Sequence, residues 1–177
     1  LVHPDIRRML LRAKALIDSS RMLSAWTALA IDKSVKDPDE KVRKANHDLV
    51  ELMTPIIKSI LTDYGVEISS EMLQIFGGHG YIREYGMEQF YRDARIAPIW
   101  EGTNGIQAMD LAGRKMPQGM GRLLRRFFHP ALAFIEDNRG DENLMEFVIP
   151  FEKALKGLQK TSMFMAQKGI SLSLIHI

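Results

Sequence analysis

Apolar and small residues fall at Ile6, Met9, Leu10, Ala13, Leu16, Ile17, Ser20, Leu23, Thr27, Ala30 and Ile31. This spacing of three and four predicts one long amphipathic helix, opened by His3-Pro4-Asp5 and ending near Lys33. A fresh start follows, with Asp37 as cap, Pro38 in the first helical position and Glu40 at the third. The second helix is expected to run to about Met53. Thr54-Pro55 removes a backbone donor and biases Thr54 away from helical dihedrals, which predicts a kink or a restart. The phase of Ile57, Leu61, Tyr64, Ile68, Met72 and Ile75 survives Gly65, so the helix should continue to Phe76 and stop at Gly77-Gly78-His79-Gly80. Beyond lie a short polar helix over Glu88 to Arg95, an irregular stretch from Ile96 to Trp100, and a helix from Thr103-Asn104 to Met116. Pro117 to Gly121 reads as a linker, followed by helices over Arg122 to Asp137, with a kink at Pro130, and Glu142 to Lys168. Alternating strand-like runs are missing, so the fold class is all-α, with long antiparallel helices in a bundle.

Composition narrows the function classes. At 46% apolar and 26% charged over 177 residues the chain is neither disordered nor fibrous. It has no apolar run near the roughly 18 residues of a membrane span. A net charge of +2 is no basic field for nucleic acid. The absence of cysteine excludes a disulfide framework, a thiolate metal site and a cysteine nucleophile. The start at Leu1 reads as an internal fragment, and the uncapped apolar end over 171–177 as a non-native tail of the kind a translated sequencing adapter spells.

Two segments could carry chemistry. Gln74-Ile75-Phe76-Gly77-Gly78 leaves a helix through two adjacent glycines, which serve either as a helix cap or as a backbone over which a phosphate can approach. Glu101-Gly102-Thr103 follows Pro98-Ile99-Trp100, apolar company in which desolvation would lift a carboxylate towards a useful base; otherwise Glu101 is a solvated loop acid. Thr103-Asn104 opens a helix whose free N–H groups could hold an anion. His79 reads as a hydrogen-bonding loop residue, since no second His or carboxylate sits at helical spacing from it to share a metal. Arg92, Asp93 and Arg95 read as surface ion pairs, Arg122, Arg125 and Arg126 as a solvated helix face, and the eleven methionines as packing.

Together Gln74 to Tyr81, Arg92-Asp93-Ala94-Arg95 and Pro98 to Gln107 resemble the acyl-CoA dehydrogenase family, in particular its larger members with an additional helical C-terminal region. The resemblance covers Leu1 to about Lys115. It implies a four-helix-bundle-like C-terminal dehydrogenase domain over 1–116, a linker over 117–121, the start of a helical extension over 122–170 and the tail over 171–177. It implies FAD as cofactor and Glu101 as the catalytic base that takes the α-proton of an acyl-CoA thioester while the β-hydrogen leaves as hydride to FAD. It places Gln74, Ile75, Phe76, Gly77 and Gly78 against the FAD of a neighbouring subunit, Thr103 at the FAD diphosphate and Gly102 beside the substrate. Gly105 departs from the shorter members, which often carry Gln there. The implied partners are an acyl-CoA substrate, electron-transfer flavoprotein as electron acceptor, and further copies in a homodimer or homotetramer, with no nucleic acid and no membrane span. The implied location is the bacterial cytoplasm, then the mitochondrial matrix. Substrates of the larger members include medium and long acyl chains and 3-methylthiopropanoyl-CoA. The rival readings are an acyl-CoA oxidase and a non-catalytic helical assembly module; intact Glu101, Gly102 and Thr103 argue against the latter.

Past Gly121 the residues Leu123, Leu124, Phe127, Phe128, Leu132 and Phe134, then Leu144, Phe147, Val148, Phe151, Leu155, Leu158 and Phe164, recur at helical spacing. Two helices hold too little core to fold alone, so this segment is expected to pack on the bundle or on another subunit.

Overall fold

The computed structural model describes residues 3–171; the expected tail, from residue 172 on, lies outside them. Among the described residues there are six α-helices and no strand: α1 (Pro4–Lys36), α2 (Glu40–Ile75), α3 (Met87–Ile96), α4 (Asn104–Asp110), α5 (Arg122–Asn138) and α6 (Met145–Ser171). Two short 3-10 turns, Gly77–Tyr81 and Arg83–Tyr85, join α2 to α3, and a π-helical turn, Leu111–Lys115, continues α4. The all-α expectation holds.

Three local expectations are corrected. The cap of α2 is Asp39 rather than Asp37: Asp39 Oδ1 accepts the Lys41 N–H at 2.8 Å, while Asp37 Oδ1 accepts the Asp39 N–H at 3.0 Å and so shapes the turn in front. The helix does not restart at Pro55 but passes through it unbroken. Pro55 is among the most completely buried side chains, and packing along so long a helix offsets one lost backbone bond. The last helix opens at Met145 instead of Glu142, because Asp141 caps a preceding turn, accepting the Asn143 N–H on Oδ1 at 2.9 Å and the Leu144 N–H on its carbonyl at 3.0 Å.

The chain divides into two compact units, one comprising the chain to Ala30 with Met53–Ala108, the other Ile31–Leu52 with the chain from Met109 on. In the first, α1 buries Met9, Ala13, Thr27 and Ala30 on one face. It is tied to α2 by Arg12, whose guanidinium meets both Glu67 and Glu71. The buried hydroxyls are satisfied within their own helices, Thr27 donating to the Leu23 carbonyl and Ser69 to that of Gly65.

In the second unit α5 and α6 form a hairpin whose core is Phe128, Ile135, Val148 and Leu155, with Leu124, Phe127, Ala131 and Leu144 against it. Each pair is seven residues apart, two turns on one helix face. The arginines read as a solvated face are in part something else. Asp48 of α2 is buried, and its two carboxylate oxygens meet Arg122 Nη2 at 3.0 Å and Arg126 Nε at 3.3 Å. Gln118 donates to Glu51 at 3.1 Å. The segment beyond Gly121 thus shares one unit with the Ile31–Leu52 stretch, joined to it by an ion cluster around the buried Asp48 carboxylate.

Candidate active site

Both segments singled out in the sequence lie in the first unit. At the exit of α2, Gly77 has φ +60°, a left-handed conformation that glycine adopts without strain, and it ends the helix. Gln74, Phe76, Gly77 and Gly78 are exposed, and Ile75 is half-buried. A Cβ on Gly77 or Gly78 would meet none of the described residues within 4 Å. The glycine the chain's own packing requires is Gly80, which is buried: a Cβ there would stand 2.5 Å from the Leu73 carbonyl oxygen and 2.8 Å from Phe76 Cβ. Gly80→Ala is therefore expected to cost about 1–3 kcal/mol, because a backbone carbonyl cannot swing aside as a side chain can. Thermal unfolding of the full-length protein checks this, and an unchanged midpoint would refute it.

The second segment is a closed turn. The Asn104 N–H donates to the Pro98 carbonyl at 3.0 Å, enclosing Ile99 to Thr103. Within it Glu101 has φ +53° and Gly102 φ +84°. For a non-glycine residue the left-handed region costs roughly 1–2 kcal/mol, so Glu101 is held there by its surroundings. Thr103 caps α4, its hydroxyl oxygen accepting the Ile106 N–H at 3.2 Å. Gln107 folds back to donate to the Gly102 carbonyl at 3.5 Å, and a Cβ on Gly102 would meet the Gln107 amide nitrogen at 2.6 Å.

Sequence reasoning missed the anchor of this turn. The Asn104 side-chain oxygen accepts from Lys58 Nζ at 2.8 Å, and its amide nitrogen donates to Asp63 Oδ1 at 2.7 Å and Thr62 Oγ1 at 3.0 Å. These contacts fasten the turn to the middle of α2. No sequence pattern marks them, because the partners lie more than forty residues away.

Apolar neighbours do not bury Glu101: its side chain is exposed, as are those of Ile99 and Trp100. The desolvation expected from Pro98-Ile99-Trp100 is thus not supplied by the described residues. An open groove of about 720 Å³ between the end of α2 and α3 is lined by Leu73, Tyr91, Arg95 and Ile99 among others. It abuts both segments in sequence, yet none of the predicted site residues lines it. Among the described residues no hydrogen bond or ion pair joins Gln74–Gly78 to Glu101–Thr103.

The remaining candidates are plain in structure. The His79 ring stands edge-on to Tyr85, 4.9 Å between centroids, and no cluster of metal-binding side chains occurs among the described residues. Arg92 pairs with Glu88 at 3.4 Å on the surface of α3. No described helix is long and apolar enough to cross a membrane.

Comparison with known proteins places this arrangement. Residues 1–116 match the family model described as acyl-CoA dehydrogenase, C-terminal domain. The chain is 47% identical over 125 residues to a 3-methylmercaptopropionyl-CoA dehydrogenase of Ruegeria pomeroyi, covering 71% of this chain and 21% of that protein. It is 32% identical over 152 residues to a butyryl-CoA dehydrogenase of Syntrophomonas wolfei subsp. wolfei, covering 86% of this chain and 25% of that protein. The chain thus spans about a quarter or less of the length of these relatives. In fold it is similar to a solved structure described as Bd2924 in its apo form, with a TM-score of 0.65 and 21% identity over 94% of this chain and 34% of that one. This chain belongs to the acyl-CoA dehydrogenase family and carries its C-terminal helical domain.

Proposed function

We propose that the protein containing this chain is an FAD-dependent acyl-CoA dehydrogenase that introduces an α,β double bond into an acyl-CoA thioester, with Glu101 as the base. The observation that carries this reading is the turn itself, an exposed carboxylate held in a costly backbone conformation by a closed and anchored loop. A thioester α-proton is a weak acid, so its removal needs a positioned base and donors for the developing enolate oxygen. Glu101 offers a carboxylate and, on the same turn, its own backbone N–H. Gly102 keeps the approach to that carboxylate free of a side chain.

The residues present fit FAD in the chemistry of their donors. Thr103 uses its hydroxyl oxygen to cap α4, which leaves the hydroxyl proton to donate to a diphosphate oxygen. Gly77 and Gly78 are exposed, and a Cβ on either would meet none of the described residues within 4 Å. Thr103 would hold the diphosphate, and Gln74, Ile75, Phe76, Gly77 and Gly78 would meet the cofactor of a neighbouring subunit. When bound, FAD supplies the hydride acceptor for the β-hydrogen. The α-proton is left on Glu101, so both hydrogens removed from the acyl chain are accounted for.

Because a Cβ on Gly78 meets none of the described residues within 4 Å, a side chain there is expected to disturb chiefly what approaches from outside the chain. Gly78→Val is expected to weaken flavin retention and subunit association together, several-fold, in the full-length protein. Unchanged flavin content in a purified, still oligomeric variant would show that Gly77-Gly78 is only a helix cap.

The same reading gives the protein electron-transfer flavoprotein as acceptor, a homodimeric or homotetrameric assembly and a bacterial cytoplasmic location. The names of the two relatives make short unbranched acyl thioesters the first substrates to try. The test is dehydrogenation of 3-methylmercaptopropionyl-CoA and butyryl-CoA by the full-length protein with an artificial electron acceptor; flavin-loaded protein inactive on these and on longer acyl-CoA thioesters would overturn the proposal.

A further inference from the structure

The geometry points to Asn104 as a positioning residue for the Glu101 carboxylate, an inference that rests on the reading of Glu101 as the base. Asn104 acts on the turn twice. Its backbone N–H closes the loop on the Pro98 carbonyl at 3.0 Å, and its side chain fastens that closure to α2.

The side-chain site selects asparagine by charge. Lys58 Nζ only donates and lies 2.8 Å from the amide oxygen; the Asp63 carboxylate only accepts and lies 2.7 Å from the amide nitrogen. The amide therefore has one orientation that satisfies both neighbours. The Ser59 carbonyl at 3.3 Å and Thr62 Oγ1 at 3.0 Å complete the set, the Thr62 hydroxyl donating in turn to the Lys58 carbonyl at 2.7 Å. An aspartate at 104 would set a second carboxylate against Asp63, and an alanine would leave Lys58 and Asp63 without the group they share.

Glu101 lies three residues before this anchor, and its own side chain is exposed, so its direction is set by the backbone and not by packing. Without the Asn104 side chain no other hydrogen bond among the described residues ties the closure at Pro98 to α2, and the left-handed conformation at Glu101 loses that support. A base displaced by an ångström loses on the order of 100-fold in rate.

The test uses the full-length, flavin-loaded protein. Asn104→Ala is expected to lower kcat between ten- and a hundred-fold with acyl-CoA affinity and flavin content unchanged. Lys58→Met, which removes the donor but keeps the stem, is expected to lower kcat in the same direction and serves if Asn104→Ala does not fold. The decisive readout is the pair with Glu101→Gln: once the base is gone its position no longer matters, so Asn104→Ala should not lower the residual rate further. A purely structural role would lower it again by the same factor and would overturn the inference. So would wild-type kcat in both Asn104→Ala and Lys58→Met alongside an inactive Glu101→Gln, which would leave the assignment of the base standing. An active Glu101→Gln would instead remove the assignment on which the inference rests.

Discussion

Glu101→Gln in the full-length protein is expected to abolish nearly all acyl-CoA dehydrogenation while FAD and acyl-CoA still bind. The amide keeps the size and shape of the carboxylate and removes its basicity. A positioned general base contributes typically 100-fold to 10,000-fold, so kcat should fall by at least about 100-fold. Because the Glu101 side chain is exposed and makes no described hydrogen bond or ion pair, the substitution should leave thermal stability unchanged. That separation matters, since a loss of activity with an intact unfolding midpoint assigns the effect to chemistry. A variant that keeps more than about a tenth of wild-type turnover would contradict the assignment of the base.

A large effect of the opposite kind, on stability and not on chemistry, is expected at Asp48. Its carboxylate is buried and takes one arginine on each oxygen, Arg122 at 3.0 Å and Arg126 at 3.3 Å. Asp48→Ala leaves two guanidinium groups without their shared anion and opens a gap in a buried position. Breaking a fully buried pair costs roughly 3–5 kcal/mol. Both arginines are about two-fifths exposed and can recover part of their hydration, so the expected loss is about 2–3 kcal/mol. His47, next in sequence but exposed, is the control: its replacement by alanine should shift stability by no more than about 0.5 kcal/mol. Equal unfolding midpoints for the two variants would show that the Asp48 cluster is not a structural tie.

What the sequence made legible is what depends on neighbours along the chain. Helix phase is local, and α1, α3 and the exit of α2 at Gly77 lie within a few residues of where periodicity and glycine place them. The Glu101-Gly102-Thr103 turn was readable because its residue types carry their own signals, an acid, a glycine and a capping hydroxyl in succession. The rest depends on contacts between segments distant in sequence. Pro55 reads as a break until its burial is known, and Asp37 reads as the cap until Asp39 is found to meet the Lys41 N–H. Arg122 and Arg126 look solvated because Asp48 stands more than seventy residues earlier. Asn104 looks like one more polar residue at a helix start because Lys58 and Asp63 belong to another helix. The exposure of Glu101 ran against its apolar neighbours, since Ile99 and Trp100 point to solvent along with it.

The central claim, that Glu101 removes the α-proton, is tested most directly by hydrogen exchange at the α-carbon of an acyl-CoA. Full-length, flavin-loaded protein is incubated with butyryl-CoA in deuterium oxide without an electron acceptor, and deuterium at the α-carbon is followed by mass spectrometry. The account predicts exchange with the wild-type protein and none above the uncatalysed rate with Glu101→Gln at equal flavin content and acyl-CoA affinity; exchange at the same rate in both would contradict it.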